Sequence, residues 1–475
     1  MAGLMGTLGT SVNAIKAHTS ALDVAGRNLA NVNNPAYARQ RVVFGDRGSM
    51  QTTLGAQSLG VEAVGLAQYR NAMVDNQIVL EQFNGSSLES RSQLLHQVLS
   101  GLENGSLASS SSGVETIGDT PTAPKGLPDI LDAFFNAWQD FSIQPNNPVQ
   151  KQFLLDRTDA LINKLNLTDS RLADVALPAT VVPNSLTRQI DNDVSTTNGL
   201  LSKIADLNKQ IGSAEIGNIG SALDLRDKRQ ESIESLSKLI NFTSTEQSNG
   251  LVTIQLQDST STQVDLVDGG ILTGTLSRNG SDFEWQPTTG STVTLDVTGG
   301  RLHGEVQAGL DVQSFRDTLD SFVSNLVTKV NTAYNATTNG DFFAAAGTTA
   351  GTITRTVTSA TLRAGNVGNP SGDNSNALAI ASLAEDNTFS GGDTPANNLN
   401  RLISGFSFQV NDVDSRLEDS NLLNQTFKTH RNSYSGVSLD EEASDLVRFQ
   451  RALQASSRVF SVVNELLGDI INMGK

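Results

Sequence analysis

Apolar residues return every seven positions at both ends of the chain. From Leu439 the series runs Leu439, Leu446, Leu453, Phe460 and Leu467, and a companion series three residues on reads Glu442, Phe449, Ser456, Val463 and Ile470. A 3–4 alternation held over these heptads predicts one long amphipathic helix with the regularity of a coiled-coil seam. No proline or glycine interrupts it between Ser438 and Gly468, so about 30 residues give a helix ~45 Å long. Ser438 and Glu441 stand at capping-box spacing ahead of it. At the other end Leu8, Ile15, Leu22 and Leu29 recur by sevens, with Leu4, Ser11, His18, Ala25 and Val32 as companions. That pattern stops at NVNNPAY, where Pro35 drives Asn34 out of the helical region.

A C-terminal helix docked on its own domain would show the same stripe, so that seam alone leaves both readings open. Two heptad helices at opposite ends of one chain favour a pair, parallel or antiparallel. Residues 1–40 carry Lys16, Arg27 and Arg39 against Asp23 alone, without the rows of Glu and Lys that fix a two-stranded partner. The outer faces are Ala, Ser, Thr and Asn, which suit packing against further copies.

Between the ends, residues 36–60 read as extended and turn-rich. LGVEAVGLAQYRNAMVDNQIVLEQF passes from a strand into a helix, and a second helix over about 84–102 runs into NGSLASSSSG, a flexible linker by composition. In GLPDILDAFFNAWQDFSIQPNNP, Ile130, Phe134, Trp138 and Phe141 share one helical face between prolines. Helical periodicity continues through 149–166, 185–212 and 222–240. From Phe242 onward, stretches such as LVTIQLQDSTSTQVDLVDGG and ILTGTLSRNGSDFEWQP alternate apolar with polar residues, and RNGS predicts a hairpin turn. Helices return at 305–337, near 376–385 and over 396–435. The expected fold is mainly α with an inserted β domain at 241–302. Terminal heptad helices (1–35 plus 437–475) form a coiled coil, and a long helical rod is built from both chain halves (36–240 plus 303–436).

At 475 residues the chain is long enough for several domains. A net charge of −17 leaves no basic patch to displace counterions from phosphates, which excludes nucleic acid as a partner. No run of 18 or more apolar residues predicts a membrane span. MAGLMGTLGT lacks the basic and apolar regions of a cleavable secretory signal. Cysteine is absent; a cytosolic chain and one exported unfolded both accommodate that. The four histidines (His18, His96, His303, His430) are scattered, and no H-E-x-x-H, G-x-S-x-G, P-loop or dinucleotide fingerprint occurs. LDEEASD lacks the oxygen-ligand spacing of an EF-hand, and its acids suit a helix N-terminus. SGDNSN reads as a surface turn, and LDLRDKR as a solvated ion-pair face. No catalytic residue, cofactor or metal site is expected.

SALDVAGRNLANVNNPAYARQ resembles the N-terminal signature of the bacterial flagellar axial proteins, the rod, hook and hook-associated proteins. SGVSLDEEASDLVRFQRALQASSRVFSVVNELLGDIINM is similar to their shared C-terminal segment. Internal blocks, among them DILDAFFNAWQDFSIQPNNPVQKQFLLDRTDAL, ALDLRDKRQESIESLSKLI and SGDNSNALAIASL, resemble the hook-associated members that form the first junction between hook and filament. Ala36 and Ala38 depart from the Gly and Ser or Thr usual in that family. The second junction protein and the hook protein are the nearest alternatives, against which AFFNAWQDF speaks. A secreted coiled-coil adhesin would carry repeats or an anchor.

The resemblance implies a structural subunit outside the cell, passed through the flagellar export apparatus. Its implied partners are copies of itself in a ring, the hook protein, the second hook–filament junction protein, and a cytoplasmic export chaperone on the C-terminal tail. The expected assembly interface is Leu8, Ile15, Leu22 and Leu29 with Leu439, Leu446, Phe449, Leu453, Phe460, Val463, Leu467 and Ile470.

Overall fold

The computed structural model describes residues 2–34, 36–52, 55–103, 126–178, 183–217, 221–335, 339–370, 372–389 and 392–473. The expected linker NGSLASSSSG and the helix-stopping Pro35 lie outside these. The fold is mainly helical, with two small β regions. Helix α1 (Ala2–Ala30) leads into four strands, β1 (Gln40–Asp46), β2 (Ser49–Thr52), β3 (Gly55–Ser58) and β4 (Val61–Gln68). Strand β1 pairs antiparallel with β4 and β2 with β3, which makes a narrow ribbon with a register shift at Val43/Phe44. The sequence reads as extended and turn-rich here but does not announce the ribbon, because its covered positions mix Gln40, Gly45, Ala67 and Gln68 with Val42, Val61 and Leu66.

Helix α2 (Ala72–Glu103) is continuous, where Asn84-Gly85-Ser86-Ser87 suggested a break into two. Tertiary packing overrides the weak local propensity. A Cβ at Gly85 would stand 3.1 Å from Ser420 Oγ, on α9 (Pro395–Ser435). On another side, α7 (Gly300–Tyr334) comes so close that a Cβ at Gly304 would lie 2.0 Å from the Ser87 carbonyl oxygen. Helix α7 runs in the same direction as α2, with Arg91 on Asp311 and Ser87 on His303. Helix α9 runs in the opposite direction, with Ser92 and His96 both bonded to Asp414 and Ser420 to Glu81. These three helices form the spine of the helical region.

Helices α3 (Leu127–Ile143), α4 (Pro148–Ala173), α5 (Ser185–Ala214), α6 (Leu223–Ser237) and α8 (Ser375–Ser382) pack around it. Their starts are legible locally: Asn147 caps α4 through the Val149 N–H, and Asn184 caps α5 through the Thr187 N–H. Phe134, Trp138 and Phe141 are fully buried, with Trp138 against Phe141, Tyr334 and Phe342 and Phe134 against Phe342, whereas Ile130 is only partly covered.

Seven further strands lie between α6 and α7: β5 (Thr243–Glu246), β6 (Val252–Gln257), β7 (Gln263–Asp268), β8 (Ile271–Leu272), β9 (Gly274–Asn279), β10 (Asp282–Pro287) and β11 (Val293–Leu295). They form antiparallel sheets of order β5-β6-β7-β8 and β11-β10-β9. The RNGS turn joins β9 to β10, with Gly280 at φ +66°. Asn198 and Asn208 of α5 donate to the carbonyls of Leu276, Val252 and Gly269. Ile254, Leu266 and Trp285 join the same apolar core as the helices.

The close crossing at Gly304 carries a stability prediction. Gly304→Ala forces α2 and α7 apart and is expected to cost about 1–3 kcal/mol. Gly199→Ala, where a Cβ meets nothing within 4 Å, is expected to gain about 0.5–1 kcal/mol from helix propensity. Thermal unfolding of the two variants should move in opposite directions; an unchanged Gly304→Ala transition would contradict the crossing.

Candidate functional site

The two ends of the chain lie side by side. Helix α10 (Leu439–Met473) packs along α1, antiparallel, since Asn28 meets Glu442 while His18 meets Phe449 one packing layer further along. Asn28 is 1% exposed and uses its whole amide. Its Nδ2 donates to Glu442 Oε2 (3.0 Å) and to the Gln40 carbonyl (2.8 Å). Its Oδ1 accepts from Tyr37 Oη (2.9 Å) and the Gln40 N–H (3.1 Å). Glu442, at a seam position where heptad logic asks for an apolar residue, is buried because Arg39 Nε stands 2.7 Å away. Arg39 also reaches Glu441 and Asp445, and its backbone N–H donates to the Ser435 carbonyl.

The polar joint continues into the helical region. Gln40 Nε2 donates to Asp224 and Gln68 Nε2 to Asp227. Arg70 pairs with Asp75 (3.2 Å) and Asp227 (3.6 Å), and Arg431 with Glu234 (2.6 Å) and Asp75 (3.6 Å). These bonds couple α1, β1, β4, α2, α6, α9 and α10. Burial lifts Asp227 to about 6 against the pull of Arg70, and burial with Asp227 and Asp224 nearby pushes Tyr37 up to about 12. LDLRDKR is therefore no solvated face: Asp227 and Arg229 are buried, the latter on the Asn208 side chain and the Gly250 carbonyl. Tertiary partners from distant segments explain the miss. In SGDNSN, Asp373 accepts from Asn369 and from the Ser375 N–H at the start of α8, which holds it at about 2.

The expected interface residues divide into three groups. Val463 and Leu467 are buried in the chain itself. Leu8, Ile15, Leu22, Leu29, Leu446, Phe449, Leu453 and Phe460 are half-buried. Leu439 and Ile470 are exposed, since α10 has 35 residues against 29 in α1 and overhangs it. The stripe of α1 that is actually buried is small: Ser11, Ala17, Ala21, Val24 and Ala25 beside Asn28. Spacing of Ala17, Ala21 and Ala25 by fours is the signal that heptad counting passed over. These small side chains are covered, and the leucines are only half-covered. Helix α10 also carries a second apolar row, Val459, Val462, Leu466, Ile470 and Met473, exposed throughout. Among the described residues, no helix is long and apolar enough to cross a membrane.

Residues 430–473, the end of α9 and α10, match the family described as flagellar basal body rod FlgEFG protein C-terminal. This defines the chain's class as a flagellar axial protein. Residues 114–344 match the helical domain of the flagellar hook-associated protein FlgK. Flagellar hook-associated protein 1 of Bacillus subtilis (strain 168) is 23% identical over 539 residues, 98% of this chain and 97% of that protein. Its namesake in Salmonella typhimurium is 25% identical over 241 residues, 50% of this chain and 39% of that protein. A solved structure of FlgK, the flagellar hook junction protein of Burkholderia pseudomallei, is similar at a TM-score of 0.45 and 22% identity, over 57% of this chain and 46% of that one. The chain belongs to the FlgK family of flagellar hook-associated proteins.

The joint generates two expectations. Arg39→Ala strands the buried Glu442 carboxylate and is expected to cost about 3–5 kcal/mol locally. Hydrogen exchange should then speed up in 18–30 and 440–456 but not in α7; unchanged protection would contradict the clamp. Asp227 takes up a proton more readily folded than unfolded, so its contribution to stability grows as pH falls from above about 6 and levels off below its ordinary value of 3.8. Asp227→Asn should flatten that slope in the unfolding midpoint plotted against pH; an identical slope would place the titration elsewhere.

Proposed function

We infer that this chain is a structural subunit of the bacterial flagellum, forming the junction between hook and filament and supporting filament assembly. Alongside family membership, the observation that carries the reading is the antiparallel α1–α10 pair with its uncovered apolar rows. One chain buries Val463 and Leu467 but leaves Leu453 and Phe460 half-covered and Val459, Val462 and Leu466 exposed. Contiguous apolar surface of that kind marks a packing face. Copies set side by side in a ring would cover it, with the paired terminal helices forming a coiled-coil tube around a central channel.

On this reading 1–35 plus 437–475 is the assembly domain and 36–240 plus 303–436 the rod that spaces it from the surface. The β domain at 241–302 is carried on that rod. The hook protein on one side and the second hook–filament junction protein on the other complete the contacts. Before assembly, a small helical chaperone would mask the C-terminal stripe in the cytoplasm, as an amphipathic helix is held in a groove. Export would proceed through the flagellar apparatus without a cleaved signal. Such a role asks for packing surfaces and rigid geometry, with no chemistry at a catalytic centre.

Leu453→Asp separates assembly from folding. In the single chain Leu453 is half-exposed, so a carboxylate there is hydrated and the rod's thermal transition should stay in place. In the ring, lost burial costs roughly 1.5–3 kcal/mol at every subunit, and an unpaired buried carboxylate adds more. Cells carrying the variant, like a deletion strain, are expected to form hooks without filaments by electron microscopy and to shed filament subunits into the medium. Filaments of normal length in either strain would overturn the reading.

A further inference from the structure

Glu305 lies on the second turn of α7 and is fully enclosed, at 0% exposure. Gln189 of α5 donates to its Oε1 at 2.6 Å, while its buried Oε2 has no hydrogen-bond partner. Asp193, one turn further along α5 and itself buried, stands within hydrogen-bond reach of Glu305. Two carboxyl groups thus abut out of water, where each opposes the ionisation of the other. Among the described residues, the cation that serves the pair is Arg301, one turn before Glu305 on α7. It gives Nε and Nη2 to the two oxygens of Asp193, at 2.5 and 2.9 Å.

Other charges nearby do not close the deficit. On α5, Asp191 accepts from Arg278 of β9, and Arg188 is exposed. On α2, Glu89 adds negative charge beside Arg301, and Arg91 is held by Asp311. On α7 the His303 ring is bonded to Ser87 of α2. Ahead of β5, Lys238 lends its carbonyl to the Arg301 N–H, and its charge bears on Lys428 of α9. The pair is one countercharge short.

The pair also sits at the neck of the β region. The chain leaves for the strands after Leu239 and returns at Gly300, where a Cβ would stand 2.4 Å from the Leu239 carbonyl oxygen. The Leu302 N–H donates to that same carbonyl. Beyond Asp193, α5 carries the strands through Asn198 and Asn208. A shift of α5 against the start of α7 therefore moves the β region.

We propose that Glu305 and Asp193 share one proton, and that this proton locks α5 to α7 at the neck of the β region. With the proton in place, Glu305 Oε2 donates to Asp193 and is satisfied. Its loss sets two carboxylates against a single guanidinium, and the neck loosens while the helices beyond it stay folded. The lock stands on the geometry of the single chain, whatever that chain assembles with. Burial, with Asp193 adjacent, lifts Glu305 from its ordinary 4.5 to about 8. The folded joint therefore binds more protons than the unfolded chain. Its contribution is fully present below pH 4.5 and is lost as pH rises through about 8. Burial holds His303 below its ordinary 6.5, so its ring is neutral in the upper part of that range.

Glu305→Gln copies the protonated acid, since its carbonyl can accept from Gln189 and its amide can donate to Asp193. Infrared difference spectra of the full chain between about pH 7 and about pH 9.5 bracket the titration of the lock. They should show a protonated-carboxyl band that disappears in the natural chain and is missing from Glu305→Gln. The chain has no cysteine, so Ser314→Cys on α7 and Asp282→Cys on β10, both exposed, take two spin labels. Pulsed dipolar spectroscopy should give one narrow distance distribution at the lower pH and a second, displaced population at the higher. In the same background Glu305→Gln, or Glu305→Met should the first not fold, is expected to stay narrow at both. Absence of the carboxyl band at the lower pH would overturn the shared proton, and a labelled chain that stays narrow in alkali would overturn the lock. Equal broadening with Glu305→Gln would assign the motion to other groups and overturn it as well.

Discussion

A buried carboxylate closes this molecule. Glu442 and Asn28 are 414 residues apart in sequence and bonded in space, and Arg39 supplies the countercharge that makes the burial tolerable. Remove Arg39 and the Glu442 carboxylate is left in a site 1% exposed, at a cost that two half-covered helices have little else to offset. A seam of leucines alone would allow α1 and α10 to slide by a heptad. One polar contact at a fixed register forbids that, as single polar residues do in coiled coils. The same cluster reaches through Gln40 and Gln68 to Asp224 and Asp227 of α6, so the direction of the helix pair is tied to the rod.

The consequence for packing is that the pair is held without using all its apolar surface. Ala17, Ala21 and Ala25 are buried, while Leu8, Ile15, Leu22 and Leu29 stay half-covered on the shoulders. An isolated protein gains little by keeping leucines half in water. A subunit packed side by side with further copies, as proposed, would gain a great deal, because each shoulder would join another copy's core. Family membership and geometry meet at this point: the FlgK family builds the flagellar hook–filament junction, and the surplus surface is what a junction subunit requires.

Much of the fold is legible in the sequence because it follows local periodicity. Heptads mark α1 and α10, the Phe134–Trp138–Phe141 face marks α3, and Thr/Val alternation with RNGS marks the strands before α7. The losses occur where distant contacts decide. Gly85 reads as a break until α9 is seen to need the space beside it. The ribbon over 40–68 has too little alternation to announce itself. The buried state of Asp227, Arg229 and Glu442 depends on partners up to hundreds of residues away, so their charges read as solvent-facing. Of the candidate interface, Val463 and Leu467 are buried in the chain, whereas Leu439 and Ile470 overhang the end of the shorter helix. The second row from Val459 to Met473 was hidden in plain view, since heptad counting follows one stripe and stops.

The most direct measurement is a high-resolution electron cryomicroscopy map of the hook–filament junction in intact flagella of the source cell. The account predicts α1 and α10 antiparallel in each subunit, with Val459, Val462 and Leu466 covered by a neighbouring copy. A map in which that row faces the open channel, or in which the two terminal helices are apart, would contradict it.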